Sequence, residues 1–515
     1  MRRRGTAASP LGAVRWSVAS FAISQAIGSL LYLPLARLLT PSDFGLFAEA
    51  GLVVTGLMLL SEMGLVQAVI RLDGDRRVLS QAAFVLSIVM GVIGAVLCVL
   101  AGPPLAAIFD EEQLRLILIL MAPAVLFNAL GSVPHALLAR DLDFRRKTLP
   151  ETVSISVGGT AALAAGLLGA GVFSLVIYWL MRTSLSSLVG WLVIGWRPAP
   201  RRPDGAVVRR ILGFSVPVSG GELALSARLN ADNAIAGRVL GADQLGVYTL
   251  ASSAAFGPAA VIQSFFASVG YATFSRLQRH REQLRAVYLS ATRLIASIAF
   301  SLFLGAVFLR QELVDVIYGP RWAEMVGPLL PLFLLQGIRE VCRPGASLTL
   351  ATGHSRLYMV CGIVMLPLTI IAVLIGARFG ITGVGWAMLI AVGGASLVWP
   401  SIAIWILRPT AGQVWRTLAL PVLLAAVSTP SVAVTRLLLA QTPLPDVVRL
   451  AAAILAGAAA FGLATLLLRA SLQHDLTQLK QSLPEEESIT DTPEPLVPSP
   501  LPIPTPAPIA VIADS

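Results

Sequence analysis

Ala36-Arg37-Leu38-Leu39-Thr40-Pro41-Ser42-Asp43-Phe44-Gly45-Leu46-Phe47 is answered later in the chain by Gly237-Arg238-Val239-Leu240-Gly241-Ala242-Asp243-Gln244-Leu245-Gly246-Val247-Tyr248. Arg37 matches Arg238, Leu39 matches Leu240 and Gly45 matches Gly246, at a constant offset of 201 residues with no gap. A second echo, at an offset of 212, pairs Leu138-Ala139 with Leu350-Ala351 and Gly171-Val172 with Gly383-Val384. All of these segments sit within long apolar sequence. Two echoes in the same order at nearly the same offset point to a duplicated membrane bundle. Membrane transporters use such duplication, because two similar bundles can rock around a site held between them.

The composition around the echoes agrees. Of 515 residues, 56% are hydrophobic and only 13% charged, and the mean hydropathy is +0.79. That charge fraction is about half the usual globular value of roughly 25%, too little polar surface to keep a protein of this size dispersed in water. The net charge of +10 does not indicate a nucleic-acid partner, because the basic residues sit in short loops between apolar runs. Anionic lipid headgroups are the neighbours such loops meet. Cys98, Cys342 and Cys361 lie in apolar segments without metal-ligand spacing, so they read as small buried hydrophobes rather than a disulfide or zinc set. Met1-Arg2-Arg3-Arg4 resembles the charged start of a signal peptide, but the apolar run from about Val14 to Leu39 is longer than an h-region of roughly 7–15 residues. It reads as a retained first span.

At about 20 apolar residues per span, fourteen candidates lie near 14–39, 44–70, 78–101, 114–139, 152–170, 172–196, 211–239, 245–270, 287–309, 326–352, 357–377, 383–407, 415–438 and 447–468. The division of 152–196 rests on a turn from Gly166 to Gly171. Most of the Lys and Arg residues fall on alternate connections, among them Arg71/Arg76/Arg77, Arg140/Arg145/Arg146/Lys147, Arg201/Arg202/Arg209/Arg210 and Arg408/Arg416. By the positive-inside rule those connections, and both termini, are predicted cytoplasmic. The expected fold is an all-α polytopic membrane protein of about 14 transmembrane helices, in two pseudo-symmetric six-helix lobes plus two extra C-terminal helices. The expected divisions are a first lobe over 1–196, a basic linker over 197–210, a second lobe over 211–408, the extra pair over 409–470 and a Pro-rich, disordered cytoplasmic tail over 471–515. The stretch Arg276–Arg293 reads either as a basic amphipathic helix on the inner leaflet or as a cytoplasmic extension of the ninth span.

An ionisable group at bilayer depth is costly, about 2.5–3.5 kcal/mol on insertion scales, so each is a functional candidate. They are Glu49, Glu62, Arg182, Glu222, Arg228, Asp232, Arg339, Glu340 and Arg343. Arg228 and Asp232, four apart, can share a helix face as an ion pair. Arg339 and Arg343, also four apart, stack like charges and need an anion opposite: a carboxylate such as Glu62 or Glu222, or a phosphate. Arg182, Arg228, Arg339 and Arg343 are therefore the candidate ligand-binding cations in an aqueous lumen. Glu62, Glu222, Asp232 and Glu340 are candidates for carrying a coupling proton or sodium, with structural pairing or snorkelling to an interface as the competing reading.

Enzyme motifs are not found. The chain carries no P-loop, HExxH or nucleophile elbow, and His135, His280, His354 and His474 are scattered. No catalytic residue, metal site or cofactor is expected. The connections on the other face are short, too short to hold the acceptor of a membrane glycosyltransferase or polymerase.

Asp232-Asn233-Ala234-Ile235-Ala236-Gly237-Arg238-Val239-Leu240-Gly241, followed by Leu245-Gly246-Val247-Tyr248, resembles the signature of bacterial polysaccharide-export and lipopolysaccharide-biosynthesis flippases. These belong to the multidrug/oligosaccharidyl-lipid/polysaccharide exporter superfamily. The same resemblance is carried by Leu137–Arg146, by Phe274-Ser275-Arg276-Leu277-Gln278, by Tyr318-Gly319-Pro320-Arg321-Trp322 and by Ala351–Arg356. It covers about residues 10–410. It implies an inner-membrane flippase that moves undecaprenyl-pyrophosphate-linked oligosaccharide repeat units for exopolysaccharide or O-antigen synthesis by alternating access. Its implied partners are the lipid-linked oligosaccharide, membrane lipids, a polysaccharide polymerase and a chain-length regulator, with no nucleic acid. Two departures stand out: Thr273 where relatives often carry a nearby proline, and two helices beyond a twelve-helix core. The peptidoglycan-precursor (lipid II) flippase branch also has fourteen helices and uses the extra pair as a lipid groove, so it remains an alternative. A drug exporter, a membrane glycosyltransferase and a non-transporting scaffold are the other readings left open.

Overall fold

Helix boundaries follow local chemistry. Thr40-Pro41-Ser42-Asp43 forms a capping box: the Asp43 backbone N–H donates to the Thr40 hydroxyl oxygen, the Thr40 backbone N–H donates to the Asp43 carboxylate, and Pro41 takes the first helical position. Thr410 and Gln413 repeat the box, while Asp75 and Asp204 cap two further helices. The expected turn from Gly166 to Gly171 is present, with Gly169 and Gly171 at φ of +80° and +54°, a region glycine enters without a Cβ penalty.

The computed structural model describes residues 28, 30–31, 33–72, 75–140, 144–198 and 203–468. The expectations for Arg2, Arg3, Arg4 and Arg15, for 14–27 of the first span, for Arg201 and Arg202 and for the tail beyond 468 lie outside the described residues. α1 is described near its end, with helical residues over 33–38. There follow α2 (Pro41–Arg71), α3 (Arg76–Phe109), α4 (Gln113–Arg140), α5 (Phe144–Leu167), α6 (Phe173–Ile194) and α7 (Gly205–Leu240). The series continues with α8 (Ala242–Leu277), α9 (Arg281–Phe308), α10 (Val326–Ala351), α11 (Ser355–Ala377), α12 (Gly380–Leu407), α13 (Ala411–Ala440) and α14 (Asp446–Leu467). Each of the thirteen expected spans from 44–70 onward thus falls on a helix. Among the described residues there is no strand, and eleven helices are long and apolar enough to cross a membrane. α5 and α7 are not among the eleven. α7 carries Ser215, Ser219, Glu222, Ser226, Arg228, Asn230, Asp232 and Asn233 along its length, a polar burden that only a helix facing protein and lumen can hold in a membrane.

Packing separates the helices into groups. α2, α3, α4 and α6 pack on one another, with α5 against α6; α8, α9, α10 and α12 form a second group, with α11 against α12 and α7. α13 lies on α9, and α14 on α13. Two helices cross between groups: α2 runs along α8, and α7 touches α2 and α3 as well as α8 and α11. The lipid-facing surface is broad and apolar, with Val92, Val96 and Leu100 of α3, Leu437 and Leu438 of α13, and Leu455 and Leu466 of α14 all exposed.

Helical irregularities are concentrated where groups meet. α2 breaks between Glu62 and Leu65, with Met63 and Gly64 at φ of +42° and +61°. Gly64 lies against Ser215 and Val218 of α7. The choice left open for Arg276–Arg293 is resolved: α8 ends at Leu277 and α9 begins at Arg281, with Leu284, Val287 and Tyr288 buried in the main core. The stretch is therefore an extension of the ninth span. Its apolar face packs on protein, which leaves no free face for a lipid surface.

Candidate functional site

α7 and α10 present three guanidiniums to one cavity. Arg228 of α7 and Arg339 and Arg343 of α10 line it, together with Tyr358 of α11 and Ser396 and Trp399 of α12; its volume is about 170 Å³. Residues three and four apart share a helix face, which is why Arg339 and Arg343 both reach it. The volume suits a phosphate-sized group and is well below the roughly 300 Å³ at which pockets begin to enclose a drug-sized molecule.

Arg343 is held by a carboxylate of its own helix. Its Nε and a terminal nitrogen donate to the two oxygens of Glu340 at 2.9 and 2.8 Å, and Gln263 of α8 donates a third hydrogen bond to Glu340 at 3.0 Å. Glu340 is fully buried, and three donors are what an ionised carboxylate needs to offset its desolvation. The expected counter-anion for the stacked arginines is thus Glu340, not Glu62 or Glu222. The reason is proximity along one helix: Glu340 sits three residues from Arg343, whereas the other two lie at the contact between α2 and α7. Arg339 remains within electrostatic reach of Arg343, Arg228, Glu340 and Asp232.

The expected Arg228–Asp232 ion pair does not form. Asp232 instead accepts a hydrogen bond from the Tyr248 hydroxyl of α8 at 3.0 Å, while Arg228 lines the cavity. The face they share is divided between two neighbours, the cavity at Arg228 and α8 at Asp232. Glu62 accepts from the Asn128 side chain at 2.9 Å and Glu222 from the Gln67 side chain at 2.8 Å; the two carboxylates are within electrostatic reach of each other. Arg182 stands apart. It is exposed on α6, does not line the cavity, and makes no hydrogen bond or ion pair among the described residues.

Three of the four expected cations are therefore brought together, and the fourth is not. Gln263 and Tyr248 were missed by reasoning on charged residues alone. Their signals were present: Gln263 is a lone amide in mid-span, and Tyr248 closes the second half of the 201-residue echo. Two larger apolar cavities flank the same group. One of about 480 Å³ lies between α8, α9, α10, α13 and α14, lined by Pro258, Leu302, Phe333, Val432, Gly457 and Ala458. The other, about 730 Å³, lies between α9, α10, α12 and α13, with Phe303, Ile338, Ile390 and Val422 on its walls.

The family described as "Polysaccharide biosynthesis protein" matches residues 34–327, more than half of the chain. The succinoglycan biosynthesis transport protein ExoT of Rhizobium meliloti (strain 1021) is 26% identical over 332 residues, covering 64% of this chain and 66% of that protein. The teichuronic acid biosynthesis protein TuaB of Bacillus subtilis (strain 168) is 26% identical over 317 residues, covering 59% and 64%. The chain thus spans a little under two thirds of the length of each of these relatives. Among solved structures, the lipid II flippase MurJ in an inward closed conformation superposes with a TM-score of 0.66 at 11% identity, covering 88% of this chain and 99% of that one. At that identity the likeness is one of fold.

Proposed function

Since this chain belongs to the polysaccharide biosynthesis protein family, we propose that it is a flippase for undecaprenyl-pyrophosphate-linked oligosaccharide repeat units in exopolysaccharide or O-antigen synthesis. In this reading it acts in the bacterial inner membrane with both termini cytoplasmic, and it moves its cargo without chemical conversion. The observation that carries the proposal is the convergence of Arg228, Arg339 and Arg343 on one phosphate-sized cavity inside an otherwise apolar bundle. A pyrophosphate leaving water needs cations that are already in place. The sugar has no room in that cavity and extends into the space between the lobes. The cavities beside α13 and α14 are lined by apolar residues, and they suit a prenyl chain.

The lobes are 1–196 and 211–408, joined by the basic linker 197–210, with 409–470 forming the groove and 471–515 the tail. The cycle follows from these parts. The headgroup enters from the cytoplasmic side, the arginines neutralise it, and the lobes rock while the prenyl chain stays in lipid. Glu62, capped by Asn128 of α4, and Glu222, capped by Gln67 of α2, are the acids placed to take a coupling ion, while Glu340 and Asp232 act as structural anchors of Arg343 and Tyr248. A polymerase and a chain-length regulator would receive the product.

The test is the lipid-linked pool of a deletion strain, resolved by leaflet with an impermeant sugar-modifying reagent. Accumulation of the pyrophosphate-linked oligosaccharide on the cytoplasmic side, reversed by wild type but not by Arg339→Ala or Arg343→Ala, is the expected result. Arg182→Ala should retain more transport than either, because it lies outside the cavity. Accumulation of lipid II instead would reassign the substrate to the peptidoglycan precursor, and a normal leaflet distribution with altered chain length would sink the flippase reading.

A further inference from the structure

The two halves of the 201-residue echo meet each other. A Cβ built on Gly45 would fall onto the backbone carbonyl of Ala242, and one built on Gly246 would fall onto that of Pro41. Gly45 and Gly246 are partners in the echo, and so are Pro41 and Ala242. The contact is therefore reciprocal: each repeat presses its glycine on the other's carbonyl one turn earlier. The first turns of α2 and α8 lie backbone on backbone, a closeness that only small residues permit between membrane helices.

A second layer secures the same place. The Trp322 indole N–H, fully buried, donates to the Ala36 carbonyl at 2.7 Å, and Trp322 packs edge-on against Phe44 with ring centres 5.3 Å apart. Arg37 donates from Nε to the Ile317 carbonyl at 2.9 Å and from a terminal nitrogen to the Val316 carbonyl. The connection between α9 and α10 thus reaches over to grip α1 and α2. At the echo partner of Ala36, Gly237, the ring of Phe109 closes in from the other repeat, beside the side chain of Leu245 from its own. One turn inward from Gly45, Glu49 is buried against Gly237 with neither carboxylate oxygen hydrogen-bonded among the described residues.

The geometry points to this reciprocal clasp as the extracytoplasmic gate of the protein, closed in the present conformation and opened when the α2 and α8 first turns part. The assignment rests on the proposed orientation, in which the α1–α2 and α7–α8 turns face away from the cytoplasm. At Gly45 and Gly246 bare backbone lets the lobes meet with no interdigitated side chain, so that opening there breaks contact rather than extracting a side chain, while Trp322 and Arg37 hold the seal beside it. The unpaired Glu49 carboxyl opposes that seal, because a buried polar group without a partner is costly and is relieved by hydration when the gate parts.

The test uses the full chain in intact cells, with Cys98, Cys342 and Cys361 replaced by serine and a single thiol placed by Leu250→Cys. Leu250 is buried on α8 one turn beyond Gly246, on the same helix face. An impermeant maleimide added outside should label it slowly. Gly45→Ala and Gly246→Ala should each raise the rate about tenfold by shifting the population toward the open gate. Gly51→Ala, whose added methyl meets nothing within 4 Å, should leave it unchanged. Glu49→Leu should lower the rate. If the alanine variants do not accumulate in the membrane, Trp322→Phe decides, since it adds no bulk, removes one donor and should give a smaller rise. Rates equal to the Gly51→Ala control throughout would overturn the gate, as would acceleration seen only in inside-out vesicles. Labelling needs no substrate, so this result and the leaflet assay can fail independently.

Discussion

Glu340 carries more of the site than any arginine in it. It gathers Arg343 and Gln263 with three hydrogen bonds, so its removal leaves three donors on two side chains without an acceptor. Glu340→Ala is expected to destabilise the protein by about 1–3 kcal/mol, the cost of leaving buried polar groups unsatisfied, read as a lower melting temperature in detergent. Arg343→Ala should cost at least as much stability, since it strands the fully buried Glu340 carboxylate whereas Glu340→Ala strands an arginine that is 30% exposed, and it should cost more transport than Glu340→Ala. A common fall in both quantities for both variants would mean that Arg343 is only a structural partner. At this scale the sequence was informative about which groups are costly and silent about who satisfies them. Every ionisable residue now found in the site was visible as a charge within an apolar run. The partners of Glu340 and Asp232 are a glutamine and a tyrosine, residues that membrane sequence carries without comment.

Among the elements, α13 and α14 show how position can follow from composition while role does not. Both read as spans from hydropathy alone. Their packing on α9 leaves two apolar cavities, which no periodicity announces because their walls come from as many as five helices. Filling the one lined by α14 with Ala458→Phe should slow transport of a native long-chain substrate and leave a short-prenyl analogue unaffected, with little change in melting temperature. Equal slowing of both substrates would remove the groove from the mechanism. The Arg276–Arg293 stretch makes the opposite point. Its charge pattern fits a surface helix and a span extension equally, and the outcome turned on whether a protein face was available for Leu284, Val287 and Tyr288. α7 is the element in which local sequence already hinted at place, since its polar residues are too many for a helix facing lipid.

For the whole molecule, the clasp predicts non-additivity. Gly45→Ala and Gly246→Ala lie on one interface, so the first methyl should hold the lobes apart and the second should add little; contacting sites couple in this way. The double variant should label at Leu250→Cys scarcely faster than either single one. A product of the two single effects would indicate separate local disturbances rather than one gate.

The amino-acid sequence by itself determined the all-helical membrane class of this protein, the positions of its described helices, the 201-residue echo and the set of costly charges. Those properties depend on local apolarity, helix-capping chemistry and repeat spacing, all of which are written along one dimension. Tertiary structure alone decided that three of the four expected cations share a cavity and Arg182 does not, that Glu340 and not Glu62 or Glu222 answers Arg343, and that the two halves of the 201-residue echo touch. Contacts between α7 and α10, or between Gly45 and Ala242, join residues far apart in the chain. They exist because helices of fixed diameter must fill a bundle without voids, a condition on all of them at once that no single segment records.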